Sequence, residues 1–201
     1  NLIVIDPRRI KLTQAAKLWL RPNYGTDVAL INGIINIIIS QGLLDQSFIE
    51  NRTEGFEELQ ETIREYTPEF VSEKTGLSVE LIRKVALTYG RAQAASIGWT
   101  MGVNHSNQGT ETVNVINNLA LITGNIGRPG ASPSSITGQC NAMGTRETGF
   151  TSSLPGYRKF EKEEDRRELA LLWGVEEETI PTSRGLAYPD INEGVHSGKI
   201  K

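Results

Sequence analysis

A chain of 201 residues is long enough for one large domain or two small ones with a real buried core. With 21 Lys and Arg against 24 Asp and Glu, its formal net charge is −3, which gives no electrostatic footprint for nucleic acid or an anionic membrane surface. One Cys excludes an internal disulfide and an iron–sulfur cluster held by this chain's own thiolates, and the 2 His, far apart in sequence, argue against an all-protein zinc site.

Residues 2–5 are a short apolar, β-branched run of the kind that forms a central parallel strand. Ile5-Asp6-Pro7-Arg8 leaves that strand as a loop, because Pro has no amide donor for a ladder. Open α/β sheets bind ligands at this end of their strands. Asp6 there is either a contact to a nucleotide's sugar or base, or a turn-forming Asp-Pro. Residues 13–18 read as one or two helical turns, and 19–21 as an extended piece held extended by Arg21-Pro22.

Gly25-Thr26-Asp27 opens a helix that runs to about Ser40, with Gly42 as its stop signal. Thr26 is the expected N-cap, and Asp27 falls in the first turn. A carboxylate at that place can accept the paired N–H groups of a guanine edge, or can serve only the helix dipole. The apolar stretch 28–39 is broken by Asn32, Gly33 and Asn36 and is too short to cross a bilayer, so it reads as a buried helix. No membrane span is expected, no secretory signal opens the chain, and the cytoplasm is the default compartment.

Residues 46–50 and 56–66 carry helical spacing, Pro68 starts a further short helix, and Ser78 caps a helix over 79–92. Residues 94–99 read as the next strand and 101–105 as its exit into a loop. Residues 110–123 form an amphipathic helix ending at Gly124. From Gly124 to Gly149 no period survives, and the glycines at 124, 127 and 130 lack the strand-then-helix context of a dinucleotide fingerprint. No Walker A pattern occurs. The aperiodic segment is expected to continue through 151–160, before helices over 161–173, with its charge run 161–168 as a solvated face, and over 190–196.

Within the aperiodic segment, 137–149 gathers Gln139, Asn141, Arg146, Glu147 and the single Cys140 among glycines. Glycines let backbone approach a ligand, and amides and an Arg can orient it. The alternative is a surface loop with a chance charge pair. Arg146 and Glu147 are accordingly a surface pair or an anion-orienting pair, Arg being suited to an oxyanion by its planar fork. Cys140 is a reactive thiol or a small filler, with no base in the sequence to activate it. His105 is a ligand, an acid–base group or a hydrogen-bonding loop residue.

The fold class is therefore α/β. Residues 1–99 form part of a doubly wound, Rossmann-like sheet, and 100–201 a helix-and-loop segment of a second α/β domain. An apolar strand starting at Leu2 and a strand just beginning after Gly198 suggest that both ends are cut, so an interior fragment of a longer protein is expected.

Taken in order, Ile5-Asp-Pro-Arg8, Gly25-Thr-Asp27, Trp99-Thr-Met-Gly-Val-Asn-His-Ser106, Leu121-Ile-Thr-Gly-Asn-Ile-Gly-Arg-Pro-Gly130 and Ile136-Thr-Gly-Gln-Cys-Asn-Ala-Met-Gly-Thr-Arg-Glu-Thr-Gly149 resemble the prokaryotic molybdopterin oxidoreductases. The likeness is greatest to assimilatory, ferredoxin-type nitrate reductases, with formate dehydrogenases next, and it covers essentially the whole chain. It implies a bis(molybdopterin guanine dinucleotide) molybdenum cofactor and reduction of nitrate to nitrite by oxygen-atom transfer. It also implies a 4Fe-4S cluster in the full-length protein, not bound by this fragment, and ferredoxin, flavodoxin or a reductase subunit as electron donor. The rest of its own chain would be its partner, and the fragment alone would be inactive. By position, the resemblance implies that Asp6, Pro7 and Arg8 border one guanosine in the 1–99 part. Asp27 would bind the guanine edge, with Gly25 and Thr26 shaping the turn. Met101, Gly102 and His105 would line the pterin, Gly138 and Gln139 would lie near the molybdenum, and Arg146 would face the substrate funnel, in a cofactor and substrate loop over 124–150. Cys140 stands where the family commonly has Pro, and His105 where it commonly has Gln, so Cys140 is not read as the metal ligand and no residue here is. A stand-alone, non-catalytic nucleotide-binding module is the alternative from another class.

Overall fold

The structure, a computed structural model, describes residues 1–150 and 152–201; Thr151, within the expected loop continuation, lies outside the described residues. Packing divides the chain into two compact units, Asn1–Ile136 and Thr137–Lys201. The first unit runs past residue 99 because the helix over Gly109–Ile122 buries Ile116, Leu119 and Ile122 in the same core as the preceding helices.

In the first unit β1 (Ile3–Ile5) and β2 (Leu18–Leu20) pair in parallel, with Ile3 opposite Leu18 and Ile5 opposite Leu20. A 3-10 turn over Lys11–Gln14 joins them. Helix α1 (Asp27–Ser40) follows, and its buried set takes in Leu30, Ile31, Ile34, Ile35, Ile37 and Ile38. Isoleucine is a mediocre helix former, so burial rather than propensity holds this helix. Gly33 allows close packing, since a Cβ there would stand 2.7 Å from Val71 Cγ2.

Polar caps set the starts of the next helices. Asp45 Oδ1 accepts from Phe48 N at 3.0 Å to start α2 (Gln46–Arg52). After α3 (Phe56–Ile63), Thr67 Oγ1 accepts from Phe70 N at 3.2 Å to start α4 (Pro68–Thr75), with Pro at the position where it forfeits no helical bond. Ser78 does the same for α5 (Val79–Gly90). Thr26 departs from its expected role: its hydroxyl donates to Asn23 O at 2.7 Å and makes no cap bond to α1.

Strand β3 (Ser96–Trp99) then pairs in parallel with β4 (Ser132–Ser135), forming a second two-stranded sheet. The doubly wound sheet thus occurs as two parallel strand pairs. Residues 101–105, expected as a loop, contain a single helical turn, α6 (Met101–Asn104), before α7 (Gly109–Ile122). The segment 124–149, expected to be irregular, holds both β4 and α8 (Ala142–Glu147). β4 is built from Ser and Pro and has no apolar alternation; its order comes from the backbone ladder to β3. α8 is nucleated by Asn141, whose Oδ1 accepts from Gly144 N at 2.9 Å.

The second unit carries α8, α9 (Glu163–Trp173) and α10 (Tyr188–His196). Its buried cluster is Leu154, Leu169, Ala170 and Ile180, with Phe160 packed against it. Arg158 reinforces it by forking onto Glu168, Nε at 3.0 Å and Nη2 at 2.8 Å, and this pair holds the Glu168 carboxyl below the usual range.

Candidate cofactor and substrate site

Because β1 and β2 are parallel and in register, the segments after them leave the same end of the sheet. Asp6 is the first residue past β1, and its amide still donates to Leu20 O at 3.1 Å. Its Oδ1 accepts from Arg8 N at 2.7 Å, closing a turn, and its carbonyl accepts from Trp19 Nε1 at 2.8 Å. Arg21 Nε donates to Pro7 O at 3.0 Å. The loop Asp6-Pro7-Arg8 is therefore held at three points while Arg8 stays exposed. One oxygen of Asp6 is committed to its own turn, as the turn reading requires, and Oδ2 is left for a ligand.

The second segment leaving that sheet end reaches Gly25, which adopts φ +74° with open space where a side chain would stand. Asp27 follows at the first turn of α1, half-buried. Burial pushes its carboxyl above the usual range, opposed in part by its own backbone amide. A carboxylate partly stripped of water, with no side-chain partner among the described residues, is a strong acceptor for a ligand bearing adjacent N–H donors.

At the second sheet, Ile136 N donates to Trp99 O at 2.7 Å, so the chain leaves β3 and β4 at one end too. There α6 presents half-buried Met101, exposed Gly102 with nothing within 4 Å of a notional Cβ, and exposed His105 at its C-terminal end. Asn104 fastens this turn, accepting from Trp99 Nε1 at 3.0 Å and donating to Ser135 Oγ at 3.2 Å. A Cβ on Gly109 would stand 2.8 Å from Asn104 O, so glycine there lets the start of α7 close onto α6. Sequence reasoning passed over Asn104; its signal was a lone amide five residues after a Trp, in a stretch that reads as loop.

The glycine-rich motif at 121–130 turns inward. Asn125, 1% exposed, donates to Thr123 Oγ1 at 2.9 Å and accepts from Ala95 N at 3.0 Å and Arg128 Nη2 at 2.9 Å. It anchors the start of β3. A Cβ on Gly124 would collide with the Asp45 carboxylate.

Gly138, Gln139 and Arg146 belong to the second unit. Gly138 and Gln139 are exposed, with open space at Gly138, and Arg146 is exposed in the last turn of α8. Among the described residues its guanidinium makes no hydrogen bond or ion pair, and Glu147 does not pair with it. Cys140 is an exposed free thiol. No group of three or more His, Cys, Asp or Glu able to hold a metal ion occurs among the described residues. No described helix is long and apolar enough to cross a membrane.

Two pairs of parallel strands packed among helices define an α/β protein. Residues 1–193 match the molybdopterin oxidoreductase family, and the chain belongs to that family. It is 39% identical to a nitrate reductase of Synechocystis over 100% of its length, covering 28% of that protein. It is 46% identical to the F420-dependent formate dehydrogenase subunit alpha of Methanocaldococcus jannaschii over 80% of its length, covering 24% of that protein. Among solved structures it is similar to acetylene hydratase from Pelobacter acetylenicus, with TM-score 0.63 and 38% identity over 65% of this chain and 18% of that one. The chain thus spans only 18% to 28% of the length of these three proteins.

Proposed function

We propose that this chain acts within a longer polypeptide as the guanosine-binding and substrate-facing part of a molybdenum-dependent nitrate reductase. The donor set fits the organic part of a bis(molybdopterin guanine dinucleotide) cofactor: open backbone at Gly25, Gly102 and Gly138, and a desolvated carboxylate at Asp27. Among the described residues, no group of three or more His, Cys, Asp or Glu is placed to hold a metal ion. When bound, the group supplies the oxygen-atom transfer and the two-electron redox change that convert nitrate to nitrite.

The chain's own residues bind and orient. Asp27 accepts the paired N–H donors of the guanine edge, with Gly25 and Thr26 shaping the turn. Asp6, Pro7 and Arg8 border the guanosine from the neighbouring strand end. Met101, Gly102 and His105 line the pterin, Gly138 and Gln139 lie beside its metal end, and Arg146 receives the anionic substrate. In this reading the 1–99 part serves the guanosine and the 124–150 segment serves the pterin and substrate. A 4Fe-4S cluster, held by chain outside these residues, would supply the electron transfer from ferredoxin, flavodoxin or a reductase subunit, with the cytoplasm as the compartment.

The observation that carries the reading is the 39% identity to a nitrate reductase along the whole chain, joined to an uncommitted Arg146. Formate oxidation is the second reading, favoured by the 46% identity to a formate dehydrogenase subunit. Both substrates are small oxyanions, and Arg146 suits either. The test is to purify the full-length protein and assay nitrate reduction with a reduced viologen dye beside formate oxidation with an oxidised one. Nitrite formation without formate turnover is expected; the reverse would replace nitrate with formate.

A further inference from the structure

A cavity of about 270 Å³ in the first unit is lined by α1, the turn into α3, α3 itself and α7, and by no strand. Asn32 of α1 is its unusual wall. This residue is 4% exposed, and its Oδ1 has no hydrogen-bond partner. One turn further along α1, Asn36 is satisfied, its Nδ2 donating to Ile63 O at 3.0 Å. A buried amide oxygen without a partner is costly, and such groups are rare in folded chains. The last torsion of an Asn side chain is broad, so a donor placed in the cavity can draw the oxygen toward it.

The hydroxyls on the walls can only accept as well. Thr53 and Thr62 donate their hydroxyl hydrogens to Ile49 O and Glu58 O, at 2.8 Å each, which leaves their lone pairs. Glu54 and Glu58 carry the only charges on the lining, and neither forms an ion pair among the described residues. Phe56, Leu59, Val115 and Leu121 supply apolar wall. Two carboxylates without a counter-charge repel anions, which excludes nitrate, formate and the phosphates of a nucleotide. Acceptors and negative charge beside an apolar wall call for a cationic head rich in N–H donors on an alkyl stem. A guanidinium presents such donors in a fixed fork. The volume far exceeds the room that one water needs.

We propose that this cavity binds a small organic cation of the alkylguanidinium class, its head among Glu54, Glu58 and the Asn32 amide and its stem against Phe56 and Leu59. None of the residues assigned above to the cofactor or the substrate lines it, so the inference stands whether the full-length protein turns over nitrate or formate.

Isothermal titration calorimetry of the full-length protein with butylguanidinium tests it. Saturable binding is expected. Butyrate should not bind, and tetramethylammonium, which has the charge but no N–H donor, should bind about tenfold more weakly or less. Glu54→Gln combined with Glu58→Gln is expected to weaken butylguanidinium about tenfold or more while leaving Tm and cofactor content unchanged. Asn32→Leu keeps the branched shape and removes the orphan amide. It is expected to weaken binding by about the same factor and to keep or raise Tm. No binding to the parent, whether water or a basic side chain of the longer polypeptide holds the cavity, overturns the site. Binding that these substitutions leave unchanged, or equal binding of tetramethylammonium, overturns it too. So does a fall of several degrees in the Tm of Asn32→Leu, because the amide would then have a partner within the folded protein.

Discussion

The two units are stabilised by different means. Among the described residues the first buries eighteen apolar side chains in one cluster, and the second buries four. The second adds polar links to its small core: the Arg158–Glu168 fork, the Arg167–Glu163 pair and the Asn141 cap on α8. Exposed ion pairs contribute little net stability. The residues proposed to meet the metal end of the cofactor and the substrate, Gly138, Gln139 and Arg146, sit in the thinly packed unit. Those proposed to grip the guanosine sit on the well-packed one. A tight anchor needs fixed geometry, and a passage for substrate needs backbone that yields.

Truncating the cores tests this contrast most strongly. Ile35 is fully buried in α1, and Ile35→Ala is expected to cost about 2–5 kcal/mol of stability in the first unit. Leu169→Ala, in a core of four, is expected to melt α9 while leaving the first unit folded. Denaturation followed by Trp fluorescence and by proteolysis at 137–160 checks both. A single transition shared by both variants would show one cooperative unit and break the contrast.

Anchor and passage are expected to fail differently. Asp27→Ala in the full-length protein should lower bound guanine nucleotide in the purified enzyme, about tenfold or more in affinity for a lost charge-assisted pair of hydrogen bonds. Normal guanine content would remove Asp27 from that contact. Arg146→Ala should leave cofactor content unchanged and raise KM about tenfold with kcat kept, with partial recovery in Arg146→Lys. Unchanged kinetics would return Arg146 to plain surface.

Legibility in the chain follows local periodicity rather than the division into units. Residues 27–40 were legible because isoleucines at buried helical positions declare both the helix and its burial. β1, α5 and α7 followed from the same logic. β4 was not legible, because Ser132-Pro133-Ser134-Ser135 carries no alternation and is specified by its partner strand. α6 and α8 were missed because one helical turn leaves no period to detect, and only caps and amide links fix it. Thr26 misled because its hydroxyl had a nearer acceptor in Asn23 O. Asp6, Asp27 and Arg146 stood out by residue type and place, whereas Asn104 and Asn125 act through contacts that sequence does not display.

The smallest expected effect separates anchoring from stability within one residue. Burial raises the Asp27 carboxyl above its unfolded value of 3.8. The folded protein then binds this proton more tightly than the unfolded chain does, so stability falls as pH rises through 3.8 to the raised folded value, and the penalty stays constant above it. At lower pH both states are protonated and the penalty vanishes. Asp27→Asn removes the titration, at the loss of a favourable charge near the start of α1. The variant is therefore expected to match or fall below the parent in Tm near pH 3, and to gain on it as pH rises to 6. The same variant should bind guanine less well, because an amide presents one acceptor where the carboxylate presents two. A gain in stability with a loss of guanine would mark Asp27 as a residue held in place for its ligand against the preference of the fold. A Tm difference that does not change with pH would mean that the carboxyl is solvated as freely in the folded chain as in the unfolded one, and the anchor would lose its desolvated acceptor.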